Sequence, residues 1–453
     1  MSINKLLNIS SNSLSVYQKA LTVTSHNIAN VNNENYSRQR ALIIPEATDN
    51  LNGLIIGSGV TIEDISRVKN SLLEKQIINY NKQFGYTDQQ EETLGAIEGL
   101  YSEPKDQGIS TLLNKFFDSW DKLANDPSSQ PYRDEVVNSA NQLSTKMENI
   151  YEGTRRIQQD ARQDAVQTVE QVNLHLQNIH SLNEQIYNQV ALGSSPNDLL
   201  DERDKAILEL SKLVNVNVTY GENQVASISI GNSFGADRKF HNEYEVVEDN
   251  GKIIMRAKND TSNQITVHEG KLAALIDLHN TEIPNQLQAL DDFGNALVNQ
   301  INSVHSTGYY SHDTPLTGEN FSEIDGQGVL KINENILNDT KYIAVSKDGT
   351  KGNNELARAM AELKTYKDAS GNTFEENYSK MISDIANKKK HNEQKSKSFE
   401  LVIQQMNVQK AEYSGVSIDE EMVDVLKFQR SFDASAKLIS IADELLQTLI
   451  NLV

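Results

Sequence analysis

The 453-residue chain has no cysteine, which removes disulfides, thiolate zinc sites, iron–sulfur clusters and cysteine nucleophiles together. Its stability must come from packing. No window of about eighteen apolar residues occurs, so no membrane span is expected. The first thirty residues hold no basic stretch followed by an apolar run, so no cleavable secretory signal is expected either. Such a chain is cytoplasmic or leaves by a route without that mark. Positive charge is scarce: 42 Lys and Arg face 63 Asp and Glu, a net charge of -21. That balance argues against nucleic acid or an anionic membrane as the main partner.

Catalytic signatures are also missing. There is no GxxxxGK[ST], GxSxG, HExxH or EF-hand loop. His175 and His180 are five apart and face different sides of a helix, while His26, His268, His279 and His305 each stand alone, so no metal or cofactor site is expected. The acidic clusters Asp198, Asp201, Glu202, Asp204 and Asp419, Glu420, Glu421 fall at expected helix starts, where the helix dipole alone favours them. The run Lys388, Lys389, Lys390 reads as a solvated helix face, and Trp120 beside Phe116 and Phe117 reads as core.

What the chain does have is helical periodicity at both ends. Ile3, Leu7, Leu14, Tyr17, Leu21 and Ile28 follow a 4,3 spacing, with Ser10 and Thr24 in the remaining places. Near the other end Ile418, Met422, Val425, Phe432, Ala436 and Ile439 repeat it, and after a shortened step Ala442, Leu446, Leu449 and Val453 continue. Ser417 as cap with Glu420 three places on predicts a capping box. Two-position stripes are narrower than an ordinary core helix shows and suit pairing with another helix. Alone they bury too little to offset chain entropy, so they are expected to order on assembly.

Further long helices are expected over 154–192 and 271–305, the second divided at Pro284. Ser195 as cap and Pro196 at the first turn predict another helix start. Strand patterns are confined to 212–268, including a hairpin about Asn250-Gly251, and to a hairpin-like island near 40–62. The stretch 307–352 reads as loop and short strand. The expected fold class is mainly α with inserted β. It has a discontinuous terminal coiled-coil domain (1–35 plus 415–453), an elongated helical rod domain (36–211 plus 269–414) and a small inserted β domain (212–268). Asn27, Asn30, Asn32 and Asn33 end the first helix in a shaped turn.

The segment Ala20-Leu21-Thr22-Val23-Thr24-Ser25-His26-Asn27-Ile28-Ala29-Asn30-Val31-Asn32 with Tyr36-Ser37-Arg38-Gln39 resembles the signature of bacterial flagellar rod, hook and hook-associated proteins. Gly415 to Met422, Phe428 to Phe432, Ala434 to Lys437 and Ala442 to Leu446 are similar to the family's matching tail motif. Inside the chain, Asn197 to Asp204 with Glu209-Leu210-Ser211, then Gly270 to Leu275, and Val304-His305 with Gly308, are similar to the hook-associated members at the hook–filament junction. Two motifs depart from the family: Asn33-Glu34-Asn35 stands where Thr-Pro-Gly is common, and Glu269-Gly270 where Gly-Gly is. The chain is also short for the family, so the outermost domain of many relatives is expected to be missing or reduced.

The resemblance implies a structural subunit rather than an enzyme, without cofactors, located in the extracellular flagellum and exported unfolded through the flagellar type III apparatus. It implies self-association into a ring or helical array. The implied partners are the hook protein on one side, a second junction protein and flagellin on the other, and an export chaperone. The assembly interface is expected at Ile3, Leu7, Leu14, Leu21, Asn27, Ile28, Asn30, Tyr36, Arg38, Met422, Val425, Phe432, Ile439, Leu446 and Leu449. Competing readings are a hook or rod subunit, which would carry a mostly β middle, and an enzyme or surface adhesin on a flagellar-type scaffold. The last two would need their chemistry in 212–268, where only His241 and His268 stand among scattered acids.

Overall fold

The computed structural model describes residues 3–46, 49–51, 54–101, 107–310, 318–325 and 329–451. Helix α1 (Ile3–Ala29) is followed by β1 (Gln39–Pro45), the short pair β2 (Asp49–Leu51) and β3 (Leu54–Ile56), and β4 (Val60–Arg67). Strands β1 and β4 pair antiparallel from Gln39 opposite Arg67 to Pro45 opposite Val60, with a register shift after Leu42. The expected island is thus two nested hairpins, and its outer strand runs to Arg67. Helices α2 (Ser71–Tyr101), α3 (Ile109–Asn125), α4 (Gln130–Ala191) and α5 (Asn197–Leu213) come next.

Strands β5 (Val216–Tyr220), β6 (Ala226–Ile230) and β7 (Ser233–Ala236) form one sheet, and β8 (Tyr244–Asp249), β9 (Lys252–Ala257) and β10 (Asp260–Ile265) another. Asn250 and Gly251 join β8 to β9 at φ 50° and 76°, the left-handed pair that a two-residue hairpin turn needs. Helices α6 (Lys271–Asp277) and α7 (Ile283–His305) are separated by a π-turn over Leu278–Glu282. Pro284 lies in the first turn of α7, directly after the π-turn, and its missing N–H removes one bond of the helical ladder there, so the expected division falls at this point. Strands β11 (Ser322–Ile324) and β12 (Leu330–Ile332), helices α8 (Glu334–Asn338) and α9 (Glu355–Glu362), then α10 (Phe374–Ser414) and α11 (Ile418–Asn451) complete the chain.

Helix α4 has 62 residues, so it runs about 90 Å and organises the molecule. Its N-terminal half packs with α3, α7, α9 and the start of α10 around Phe116, Phe117, Trp120 and Phe321. Its C-terminal half carries Ala165, Val169, Val172, Leu176 and Ile179 into a second cluster shared with α5, α6 and both sheets. The six strands therefore close over a helix rather than over a core of their own. Helix α2 crosses α5 so closely that a Cβ on Gly85 would stand 2.1 Å from the Lys212 carbonyl. Gly270 has φ 87° and a comparable close approach to Leu213 and Val214, which fixes the turn into α6.

One local expectation fails. Ser195 does not cap α5: Pro196 occupies the cap position without a side-chain bond, and Ser195 Oγ instead donates to Asp64 Oδ1 at 2.5 Å. The basic run is a solvated face that also carries surface ion pairs, Lys388 to Glu282 at 2.6 Å and Lys389 to Glu98 at 3.0 Å.

His305 is a core residue. Its Nδ1 donates to the Glu319 carbonyl at 2.6 Å and its Nε2 accepts from the Ala344 N–H at 2.9 Å, so the neutral ring is fully used. Burial lowers its pKa to about 4. The unfolded chain would therefore bind a proton below about 6.5 that the folded chain refuses until about 4. Stability present at neutral pH is lost on acidification through that window, by ~3 kcal/mol from this group. Urea unfolding followed by Trp120 fluorescence should show a shallower loss between pH 6.5 and 4.5 in His305→Gln than in the unaltered protein.

Candidate functional site

Helices α1 and α11 pair along their length, and α1 also lies against the β1–β4 hairpin. Because it touches both, its deepest line falls between the two contacts. Ser10, Val16, Ala20, Thr24 and Asn27 are buried, while the expected Ile3, Leu7, Leu14, Leu21 and Ile28 are only half-buried. On α11 the covered line is Glu421, Val425, Phe428, Phe432, Ser435, Ile439, Ala442 and Leu446, an unbroken 4,3 repeat. The expected shortened step does not occur, because Ser435 rather than Ala436 occupies the line. Met422 is 49% exposed and lies off this covered line. The side chains of Leu449 and Val453 lie outside the described residues.

The physical reason is size. Close helix approach favours small side chains, and their hydroxyls are satisfied by the preceding turn. Ser10 Oγ donates to the Leu6 carbonyl at 2.8 Å, Thr24 Oγ1 to Ala20 at 3.1 Å and Ser435 Oγ to Ser431 at 2.9 Å. Tyr17 stacks on Phe428 between the two helices, with ring centroids 6.4 Å apart.

At the base of this pair four segments meet: the end of α1, the 30–39 loop, the start of α11 and the start of α5. Asn27, buried, is the centre. Its Nδ2 donates to the Gln39 carbonyl at 2.8 Å and to Glu421 Oε2 at 3.0 Å. Its Oδ1 accepts from Tyr36 Oη at 2.7 Å and from the Gln39 N–H at 2.9 Å. All four hydrogen-bonding positions of the amide are filled. Burial, then the negative fields of Asp198, Asp201 and Glu421, push the Tyr36 phenol well above its ordinary value, so it remains a donor. Since that single proton goes to Asn27, His26 Nδ1 donates to the phenol oxygen at 3.0 Å. Asn30 stays local, with Nδ2 donating to the His26 carbonyl at 3.0 Å.

Arg38 clamps the start of α11. Its guanidinium lies 2.5 Å from Glu420, 2.6 Å from Glu421 and 3.8 Å from Asp424, and its N–H donates to the Ser414 carbonyl at 2.9 Å. Glu420 is thus used on Arg38 rather than on the expected capping box. The α5 side is equally built. Ser37 donates through N–H and Oγ to Asp201 at 2.9 and 2.7 Å, and Gln39 Nε2 donates to Asp198 at 2.9 Å. Arg67, at the end of β4, reaches Asp201 at 2.7 Å and Asp204 at 2.8 Å. Lys69 pairs with Asp204 and with Glu74 at 2.8 Å. Burial would raise the Asp204 carboxyl, but the charges of Lys69, Arg67 and Arg203 win and hold it below the usual carboxylate range.

The structure therefore brings Asn27, Tyr36 and Arg38 together and leaves the apolar members of the expected interface strung along the pair above them. Sequence reasoning assigned no site role to Ser37, Gln39, Asp201, Asp204, Glu420 and Glu421, although all lie in the quoted motifs. Arg67 and Lys69 carried no signal. The arrangement is a polar joint that fixes two segments, 394 positions apart at Asn27 and Glu421, onto one body.

Paired terminal helices fixed to a helical body by such a joint form the frame of the molecule, and the families that match it are those of flagellar axial structural proteins. The family model for the flagellar hook-associated protein FlgK helical domain matches residues 94–321, and that for the flagellar basal body rod FlgEFG protein C-terminal region matches residues 408–452. The chain belongs to the flagellar hook-associated protein FlgK family.

Flagellar hook-associated protein 1 of Bacillus subtilis is 27% identical over 491 aligned residues, covering 97% of this chain and 96% of that one. The protein of the same name from Salmonella typhimurium is 21% identical over 554, covering 99% and 100%. At least 101 of those 554 positions, 554 less 453, face gaps in this chain. The solved flagellar hook junction protein FlgK from Burkholderia pseudomallei aligns at 19% identity with a TM-score of 0.49, over 55% of this chain and 46% of that one. The match thus spans less than half the length of that solved chain.

Asn27→Ala would strand the Tyr36 hydroxyl, both Gln39 backbone groups and one Glu421 oxygen. The expected cost is ~2–4 kcal/mol to the anchoring of the terminal pair. Hydrogen exchange should show faster amide exchange across α1 and α11 and unchanged protection in α3 and α7; equal exchange in both regions would refute the anchoring role.

Proposed function

We propose that this chain is a structural axial subunit of the bacterial flagellum that polymerises at the hook–filament junction and connects hook to filament. Its relatives are named for hook association, and the family is a structural one. In this reading residues 1–35 with 415–453 are the assembly unit, and the body of 36–211 plus 269–414, with 212–268 inserted, is the layer outside it.

One observation carries the reading. After α1 and α11 have paired, α11 still presents two apolar rows outward. Ile418, Met422 and Leu426 form one at i, i+4, i+8; Leu438, Ile441 and Leu445 form the other at 3,4 spacing. Each of the six is 41 to 52% exposed. Helices with apolar residues on more than one face suit an inner layer in which each pair packs on its neighbours. A head-to-tail contact of that kind repeats into a ring or helical array. Residues Ile3, Leu7, Leu14, Leu21 and Ile28 with Val425, Phe432, Ile439 and Leu446 hold the pair, and the outward rows join subunits. Leu449 is assigned to the interface by its place in the terminal helix.

The finer partners follow from the same reading: hook protein on one side, a second junction protein and flagellin on the other, and a chaperone that covers the ends before export without a cleaved signal. No helix among the described residues is long and apolar enough to cross a membrane.

Leu426→Asp and Leu445→Asp should each leave the melting temperature of the isolated chain within about 2 °C, since both positions face solvent there, while abolishing the joining of filaments to hooks. Electron microscopy of flagella and motility assays read the second effect. Filaments still attached to hooks in both variants would count against the outward rows as the subunit contact.

A further inference from the structure

The fold pairs two histidines that their places in the chain keep 61 residues apart. His180 lies on the C-terminal part of α4, and His241 lies on the segment between β7 and β8, where it bridges to Ala236. Their rings stand 4.9 Å apart between centroids, tilted by 41°. His180 Nδ1 is 2.8 Å from the Asp237 carbonyl oxygen. A carbonyl can only accept, so Nδ1 carries the proton, and in the neutral ring Nε2 keeps its lone pair. That is the outer hydrogen bond that orients metal-ligating imidazoles. No hydrogen bond of the His241 ring nitrogens competes for its lone pair among the described contacts.

We propose that His180 and His241 form a two-histidine site for a borderline-soft divalent transition metal, zinc, nickel or copper, with water completing the coordination. Two imidazoles on one tetrahedral zinc, at ~2.0–2.1 Å per nitrogen, place their ring centres roughly 5 Å apart, which is the separation found. Imidazole nitrogen selects these ions over magnesium or calcium, which take oxygen. Among the described residues no cluster of three His, Asp or Glu ligands occurs, so the site would bind with open positions and modest affinity. Its place gives it a structural consequence: the metal ties the 237–241 segment, and with it the edge of the β5–β6–β7 sheet, to α4. The neighbouring groups suit a fixed segment. Asp237 Oδ1 accepts from the Lys239 and Phe240 N–H groups, and the Arg238 guanidinium lies 4.1 Å over the Tyr187 ring.

Zinc chloride titrated into the untagged full chain by calorimetry should show one saturable equivalent that excess magnesium does not displace. His180→Ala and His241→Ala should each weaken it by roughly tenfold or more, whereas His268→Ala, an exposed histidine elsewhere, should not. Because a substitution could disturb the fold, the unaltered protein supplies a second reading: zinc should protect His180 and His241 from diethylpyrocarbonate, read by mass spectrometry, and leave the exposed His391 reactive. Absence of saturable zinc binding, equal binding in all three variants, or no selective protection would each overturn the site.

Discussion

The Asn27 amide is the interaction on which the terminal half of the structure depends. An asparagine can make four hydrogen bonds, and this one makes all four inside a buried joint, each to a different group. No other side chain of that length presents two donors and two acceptors in one plane. Aspartate would set a second carboxylate against Glu421, and an apolar residue would leave several buried polar groups unpaired at once. Around it the charges are arranged in layers. Arg38 neutralises the start of α11, and Arg67 with Lys69 neutralises the start of α5. Without these cations the acids would repel across the joint. With them, the acid-rich helix starts become attachment points.

This explains how two helices that are marginal as a pair can hold a defined direction. Apart from Val16 and the Tyr17–Phe428 stack, the seam between α1 and α11 is built of small and hydroxylated residues with half-buried aliphatics along it, so its apolar burial per turn is low. The joint sets where the pair leaves the body, and the seam sets only how its members lie against each other. A base that is polar, buried and directional, below a shaft that is weakly apolar, separates the orientation of the ends from their final packing. The shaft can then complete its burial against other shafts without altering the body.

Much of the fold was legible because periodicity reports burial. The helical ends, the break before α7 and the Asn250-Gly251 hairpin follow from spacing and turn chemistry, and Trp120 is core as read. Other features escaped for identifiable reasons. The expected helix from 154 begins at Gln130, because Gly153 sits inside it where Leu100 fills the space of a side chain. The Thr373 to Glu376 capping box that opens α10 was present in the sequence but stands before a helix too polar to show a stripe. The seam was misplaced because an apolar count ignores serines that satisfy themselves on their own helix. In the joint, Asn27, Tyr36 and Arg38 were legible from motifs. The partners Asp201, Asp204, Glu420 and Glu421 were discounted because a helix dipole already accounts for acids at those positions. Nothing local to Arg67 or Lys69 marks them, since their role exists only once β4 lies beside α5.

The magnitudes also bear on why such a chain would form an array and not a dimer. Six outward side chains on α11, each about half exposed, offer roughly 1 kcal/mol apiece when covered, so about 6 kcal/mol for one contact. Association costs an estimated ~4–15 kcal/mol in lost freedom, and a net charge of -21 adds repulsion that salt screens only beyond about 8 Å. On the proposed role of these rows, one contact alone would roughly break even. A subunit that enters a growing array touches neighbours on two sides while losing its freedom once, which turns a balanced contact into a favourable one. On the proposed junction role, a weakly apolar surface on a strongly acidic chain would favour addition of a subunit to an existing array over pairing in solution.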